Sequence, residues 1–155
     1  MRAWRGHLRM SWLVAAAIER DLRRAGLSHP DYYVLVQLSE TPGRRMRMTD
    51  LAAGIQWSKS RLSHHIDRME QRGLVCREEC ASDARGAFAC LTPAGLHAIR
   101  AAAPGHVASV RRHFLDALTP EQVASLGEIA DALIAHLAPD AEGGVAAPGP
   151  RAPRG

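Results

Sequence analysis

The stretch WSKSRLSHHIDRMEQRG, Trp57 to Gly73, decides how the rest of the chain is read. Taken as a helix capped by Ser58, it aligns Leu62, Ile66 and Met69 on one stripe. At about 100° per residue the opposite side collects Ser60, Ser63, His64, Asp67, Arg68 and, at its edge, Arg61. That side carries arginines, hydroxyls and an imidazole, and no large apolar group. Trp57 before the cap and Leu62 four residues after it have the spacing of a hydrophobic staple. An anchored helix that offers hydrogen-bond donors to its surroundings matches the chemistry of a DNA major groove. An ordinary amphipathic helix with a solvated face is the competing reading, so the flanking elements carry the decision.

On the N-terminal side, Thr49 is expected to cap a short helix with Leu51, Ala52 and Ile55 facing inward. Ile55-Gln56-Trp57 then turns into the longer helix. Helix, tight turn and helix within about two dozen residues is a helix-turn-helix arrangement. On the C-terminal side, Leu74–Cys80 and Ala87–Leu91 read as two strands around a polar turn, 81–86, that contains Asp83 and Gly86. This hairpin is a wing, with Arg85 at its tip and Asp83 two residues away to hold it.

Further out, Trp4, Leu8, Trp12, Ala15, Ile18 and Leu22 repeat at helical spacing up to a cap at Gly26. The two indoles give that helix more apolar surface than docking needs, which suggests a subunit interface. Ser28-His29-Pro30-Asp31 opens a helix that is apolar almost all round from Tyr32 to Leu38, and Thr41-Pro42-Gly43 stops it. Residues 44–48 read as a short strand. Thr92-Pro93 starts a long helix with an expected kink or break at Pro104-Gly105. Thr119 to Gln122 has capping-box spacing before a final helix striped with Val123, Leu126, Ile129, Leu133 and Leu137. Residues 139–155, rich in Gly, Ala, Pro and Arg, read as a disordered tail.

With 155 residues and 46% apolar content, the chain can build one domain core. Its formal charge of +4 is unevenly spread. From Arg44 to Arg77 eight basic residues stand against Asp50, Asp67 and Glu70, whereas 92–138 holds three basic and four acidic residues. The positive charge sits with the expected reading helix, as a DNA footprint would. Two Phe, two Tyr and three Trp leave few platforms for single-stranded nucleic acid. No apolar run suits a membrane span, no signal-peptide core follows the N-terminus, and three cysteines do not make a disulfide framework. A cytoplasmic protein without membrane contact is expected.

The order of these elements resembles the MarR family of winged helix-turn-helix transcriptional regulators. The likeness is carried by Met48-Thr49-Asp50-Leu51-Ala52, Ser58 to Ser63, Asp67 to Val75, Asp83-Ala84-Arg85 and Leu91-Thr92-Pro93-Ala94-Gly95, in that order. It implies an α+β, mainly α fold: a winged helix-turn-helix lobe (28–91) with N- and C-terminal helices (1–27 and 92–138) forming a dimerisation lobe, all within one domain, 1–138. It implies a homodimeric, sequence-specific regulator, a repressor relieved by a small aromatic effector, on a pseudo-palindromic double-stranded operator. DNA contacts would fall on Ser58, Ser60, Arg61, Ser63, His64 and Arg68, with Arg85 in the minor groove oriented by Asp83. His64-His65 departs from relatives that carry Arg or Thr there. His65 points to the side of the helix and is expected to be structural or solvated. Trp12 and Tyr32 or Tyr33 are the effector-pocket candidates.

Two alternatives remain beside this reading. One is a winged-helix module for protein association. The other is a cysteine-based redox-responsive regulator. Cys76 and Cys80 lie roughly 13 Å apart along a strand, too far for a disulfide, whereas Cys90 could approach Cys80 if the register allows. His106 and His113, about 10 Å apart on a helix, cannot chelate alone, so no metal and no cofactor is expected. No nucleophile elbow, phosphate loop, zinc-protease motif or dinucleotide fingerprint points to an enzyme.

Overall fold

The computed structural model describes residues 1–80 and 83–137, apart from the side chains of Cys80 and residues 83–86. The expected tail, 139–155, lies outside the described residues. The chain divides into two compact units, Glu19–Gly105 and a helical unit of residues 1–18 with the chain from His106 onward. Six α-helices are described: α1 Arg2–Arg24, α2 His29–Glu40, α3 Met48–Gly54, α4 Lys59–Gln71, α5 Pro93–His113 and α6 Pro120–Leu137. Strands β1 Arg45–Arg47, β2 Val75–Cys80 and β3 Asp83–Leu91 form one antiparallel sheet in the order β1-β3-β2. The fold is mainly α with a small three-stranded sheet, as the sequence leads one to expect.

The core of the first unit is built from α2, α3, α4 and the sheet. Val34, Leu35 and Leu38 of α2, Leu51 of α3, and Leu62, Ile66 and Met69 of α4 are fully buried. The α4 stripe alone contributes three such side chains, at about 1.5–3 kcal/mol each. Two helices stop in the same way. At α1, Gly26 takes a left-handed φ of 76° while its N–H reaches Arg23 O (3.0 Å) and Leu27 N–H reaches Leu22 O (3.2 Å). At α4, Gly73 (φ 69°) repeats the motif, with Leu74 N–H on Met69 O at 3.0 Å. The turn between α3 and α4 uses the same pair of bonds, Gln56 N–H to Ala53 O and Trp57 N–H to Ala52 O. There the left-handed position is filled by Gln56 (φ 54°), so the turn carries local backbone strain.

Four expectations need correction. Thr49 does not cap α3: the helix begins at Met48 with Arg47 as cap, and the Thr49 hydroxyl donates to Asp50 at 3.1 Å. The wing turn is shorter than 81–86, because β3 begins at Asp83 and pairs back at once with Cys80. Cys90 lies opposite Cys76, not Cys80, because that register places Cys80 against Asp83. Finally, α5 is not broken at Pro104-Gly105. Proline removes one N–H, and the remaining helical bonds carry the helix past it. The second unit exposes Trp4 and Trp12 from α1 and Ile129, Leu133, Ile134 and Leu137 from α6. Among the described residues no helix is long and apolar enough to cross a membrane.

Candidate nucleic-acid interface

Ser58 caps α4 as its sequence suggests, its hydroxyl accepting the Arg61 N–H at 3.2 Å. From that start the helix turns Ser60, Arg61, His64 and Arg68 outward, all exposed, while Ser63 and Asp67 are half-buried. The Arg61 guanidinium lies over the Trp57 ring, 4.1 Å from its centroid. A cation stacked on an indole is held in one place while its N–H fork stays available to an acceptor. Trp57 is therefore a platform for the reading face, and its edge also meets the His65 ring at 5.3 Å.

His65 is buried, in keeping with a structural role. Arg68 approaches its Nδ1 at 3.0 Å. A guanidinium only donates, so Nδ1 is the acceptor and the ring proton sits on Nε2. Nε2 in turn lies 3.1 Å from Asp31 Oδ1, a contact that falls short of ideal hydrogen-bond geometry. The other Asp31 oxygen accepts from Arg72 Nη1 at 2.8 Å and from the Ser28 N–H at 2.8 Å. Arg72 also donates to Gly26 O at 2.6 Å. Burial raises the Asp31 carboxyl, but the bonds from His65, the Ser28 backbone and Arg72 outweigh it and hold the group well below the usual carboxylate range. Three groups thus converge on one buried carboxylate, and with the Arg72 bond to Gly26 O they tie α4 to the start of α2 and the end of α1.

The wing is fastened to the same helix by Arg77 of β2. Its Nη1 pairs with Asp67 at 2.6 Å, its Nη2 donates to Ser63 O (2.8 Å) and Ser63 Oγ (3.1 Å), and its N–H donates to Glu70 at 2.8 Å. Ser63, one of the expected DNA contacts, is thereby engaged with the wing strand. Nothing in the local sequence pattern marks Arg77. Only its position two residues into a strand leaving α4 hints that it could reach back. Asp83 and Arg85 stand in β3, but their side chains lie outside the described residues.

The three effector candidates stand on two helices. Tyr32 is buried in α2, and Tyr33 is exposed and stacks on His29 at 4.6 Å. Trp12 is exposed on α1, in the other unit. Within that helical unit an apolar cavity of about 370 Å³ is lined by Met10, Phe114, Leu118, Gln122, Leu126 and Ile129, and Trp12 is not among its walls.

The comparisons with known proteins agree on one family. The sequence model of the MarR family matches residues 25–86, which span α2 to the wing. The transcriptional regulator HosA of Escherichia coli O127:H6 is 36% identical over 97 residues, covering 62% of this chain and 69% of HosA. Among solved structures, AbsC, a MarR family transcriptional regulator from Streptomyces coelicolor, is 51% identical with a TM-score of 0.82, covering 89% of this chain and 93% of AbsC. Sco3205, a MarR family transcriptional regulator from the same organism solved in complex with DNA, is 45% identical with a TM-score of 0.82, covering 92% and 91%. In fold, in the order of its elements and in sequence, the chain belongs to the MarR family of transcriptional regulators.

Proposed function

We propose that this regulator binds double-stranded DNA sequence-specifically as a cytoplasmic homodimer, and that it is a repressor released by a small aromatic effector. The observation that carries the reading is the outward face of α4, where Ser60, Arg61, His64 and Arg68 are exposed and Arg61 is pre-positioned on Trp57. Four donors along one helix that opens with a serine cap suit the donor and acceptor code of a major groove. Ser58 sits at the end of the helix where a phosphate would be favoured. Arg85 supplies a minor-groove contact and Asp83 orients it. Sco3205, with its similar sequence and its bound DNA, supports the same mode here.

The exposed stripes of α1 and α6 support helices in 1–27 and 92–138 as the dimer surface, since so much apolar area is rarely left bare. Residues 28–91 are then the DNA-binding lobe. The apolar cavity of the helical unit offers an aromatic ligand contact surface, and Trp12, Tyr32 and Tyr33 stay the effector candidates that the sequence suggests. An effector that prefers one spacing of the two reading helices shifts the dimer away from the groove-compatible one.

Fluorescence anisotropy on the DNA upstream of its own gene tests the reading. Nanomolar affinity that falls steeply with salt is expected, and affinity equal to that for random DNA at every salt concentration would overturn it. Arg61→Ala and Arg85→Ala should each weaken specific binding by about 1–3 kcal/mol. Unchanged binding of Arg85→Ala would remove the wing from the contact set.

A further inference from the structure

The pairing of β2 with β3 brings together three side chains that the DNA-binding reading does not use. Cys76 and Cys90 are directly opposite each other across the antiparallel ladder, and Glu78 follows Cys76 by two residues, on the same face of its strand. The two sulfur atoms and a carboxylate oxygen all lie within 4.8 Å of one another. We propose that Cys76, Glu78 and Cys90 form a binding site for one thiophilic divalent cation, zinc(II), at the base of the wing.

The donor set fits that ion. Zinc takes thiolate and carboxylate ligands together, at about 2.3 Å for sulfur and about 2.0–2.2 Å for oxygen. Tetrahedral geometry at those lengths puts two sulfurs about 3.8 Å apart, a contraction that side-chain rotation can supply from the present spacing. Three protein donors leave a fourth position for water. As each sulfur–metal bond forms, the thiol gives its proton to solvent, and no electron moves.

The same surroundings argue against a disulfide as the purpose of the pair. The Glu78 carboxylate beside the pair repels the thiolate that would have to attack to form a disulfide. A carboxylate beside two thiols disfavours an anion at that point and favours a cation. The sequence expectation of no metal rested on histidine spacing alone; the cysteines entered only as a redox pairing of Cys90 with Cys80, which the register replaces with Cys76.

Arg45 brings an opposing charge to the site. Its guanidinium lies 3.5 Å from Glu78 and also over the Phe88 ring at 4.9 Å. Being largely exposed, it can leave the carboxylate and keep the ring. Arg45→Ala should therefore tighten cation binding several-fold.

Titration of the reduced, full-length protein with cobalt(II), followed by displacement with zinc(II), tests the site. Sulfur-to-cobalt charge-transfer absorption saturating at one equivalent is expected, with zinc abolishing it and raising the melting temperature. Cys76→Ser and Cys90→Ser should each remove the charge-transfer band, and Glu78→Gln should weaken zinc binding in a chelator competition. Cys80→Ser should retain both. Absence of the band in the wild-type protein overturns the proposal without reference to any variant. So does a band that survives both Cys76→Ser and Cys90→Ser.

Discussion

Asp31→Asn is expected to lower stability at neutral pH by about 3 kcal/mol, or about 10 °C in melting temperature. The carboxylate is buried and faces Arg72, His65 and the Ser28 N–H. An asparagine oxygen can accept from one of these, but its amide then presents N–H to another donor. The lower end of the range for breaking a buried pair applies because Arg72 is itself half in water. The loss should depend on pH in one direction. The folded-state carboxyl is held below its unfolded value, so its contribution is complete above about pH 4 and fades as pH falls further. Chemical denaturation of wild type and variant should show the gap narrowing by roughly 1 kcal/mol per pH unit below that point. A variant within 0.5 kcal/mol of wild type at pH 7 would mean that the network holds no more than its own desolvation cost.

Gly95→Ala should be at least as damaging, by about 3 kcal/mol or more. Gly95 stands in the first turn of α5, where its N–H donates to Thr92 Oγ1 at 2.9 Å. The Thr92 hydroxyl reaches Gly73 O (2.7 Å) and Leu74 O (3.0 Å), so the helix start is drawn tightly against the entry to β2. A Cβ at residue 95 would fall far inside the van der Waals contact distance of the Leu74 carbonyl oxygen and 2.9 Å from Leu91 Cδ1. Backbone cannot rotate away as a side-chain tip can. The helix must retreat and those hydrogen bonds stretch. Gly105→Ala is the contrast: it lies in the same helix with no atom within 4 Å of the added methyl, and should gain about 0.5–1 kcal/mol from helix propensity. Opposite signs from one substitution in one helix would isolate the close approach as the cause. Loss at both positions would point to α5 in general.

The residues that announce themselves in the sequence are those whose signal is local. Ser28, Ser58, Thr92 and Thr119 cap the helices they precede, Gly26 ends α1, and the Leu62-Ile66-Met69 stripe is the buried side of α4. Each acts on neighbours within a turn or so, which is the range a periodic pattern can report. Asp31 shows the boundary. From sequence it is a dipole-friendly residue at the start of α2. Its larger role depends on Arg72, 41 positions away, which no local pattern connects to it. The strand register was unreadable for the same reason, and with it the identity of the cysteine that faces Cys90. Arg77 and the left-handed Gln56 were missed because one acts only across elements and the other replaces the glycine that would have marked the turn.

The grip of Arg77 on α4 bears on operator grammar. With Ser63, Asp67 and Glu70 all engaged by one strand residue, the wing cannot swing while the helix stays seated. If the chain reads DNA as proposed, the number of base pairs between the helix-read and wing-read steps of a half-site is then a constant of the protein. Inserting one base pair there should cost as much as losing one of the two contacts outright, whereas in the proposed homodimer the centre of a palindromic site would be governed by the subunit spacing and would tolerate more. The fixed unit of recognition is the half-site as a whole, not the individual contact.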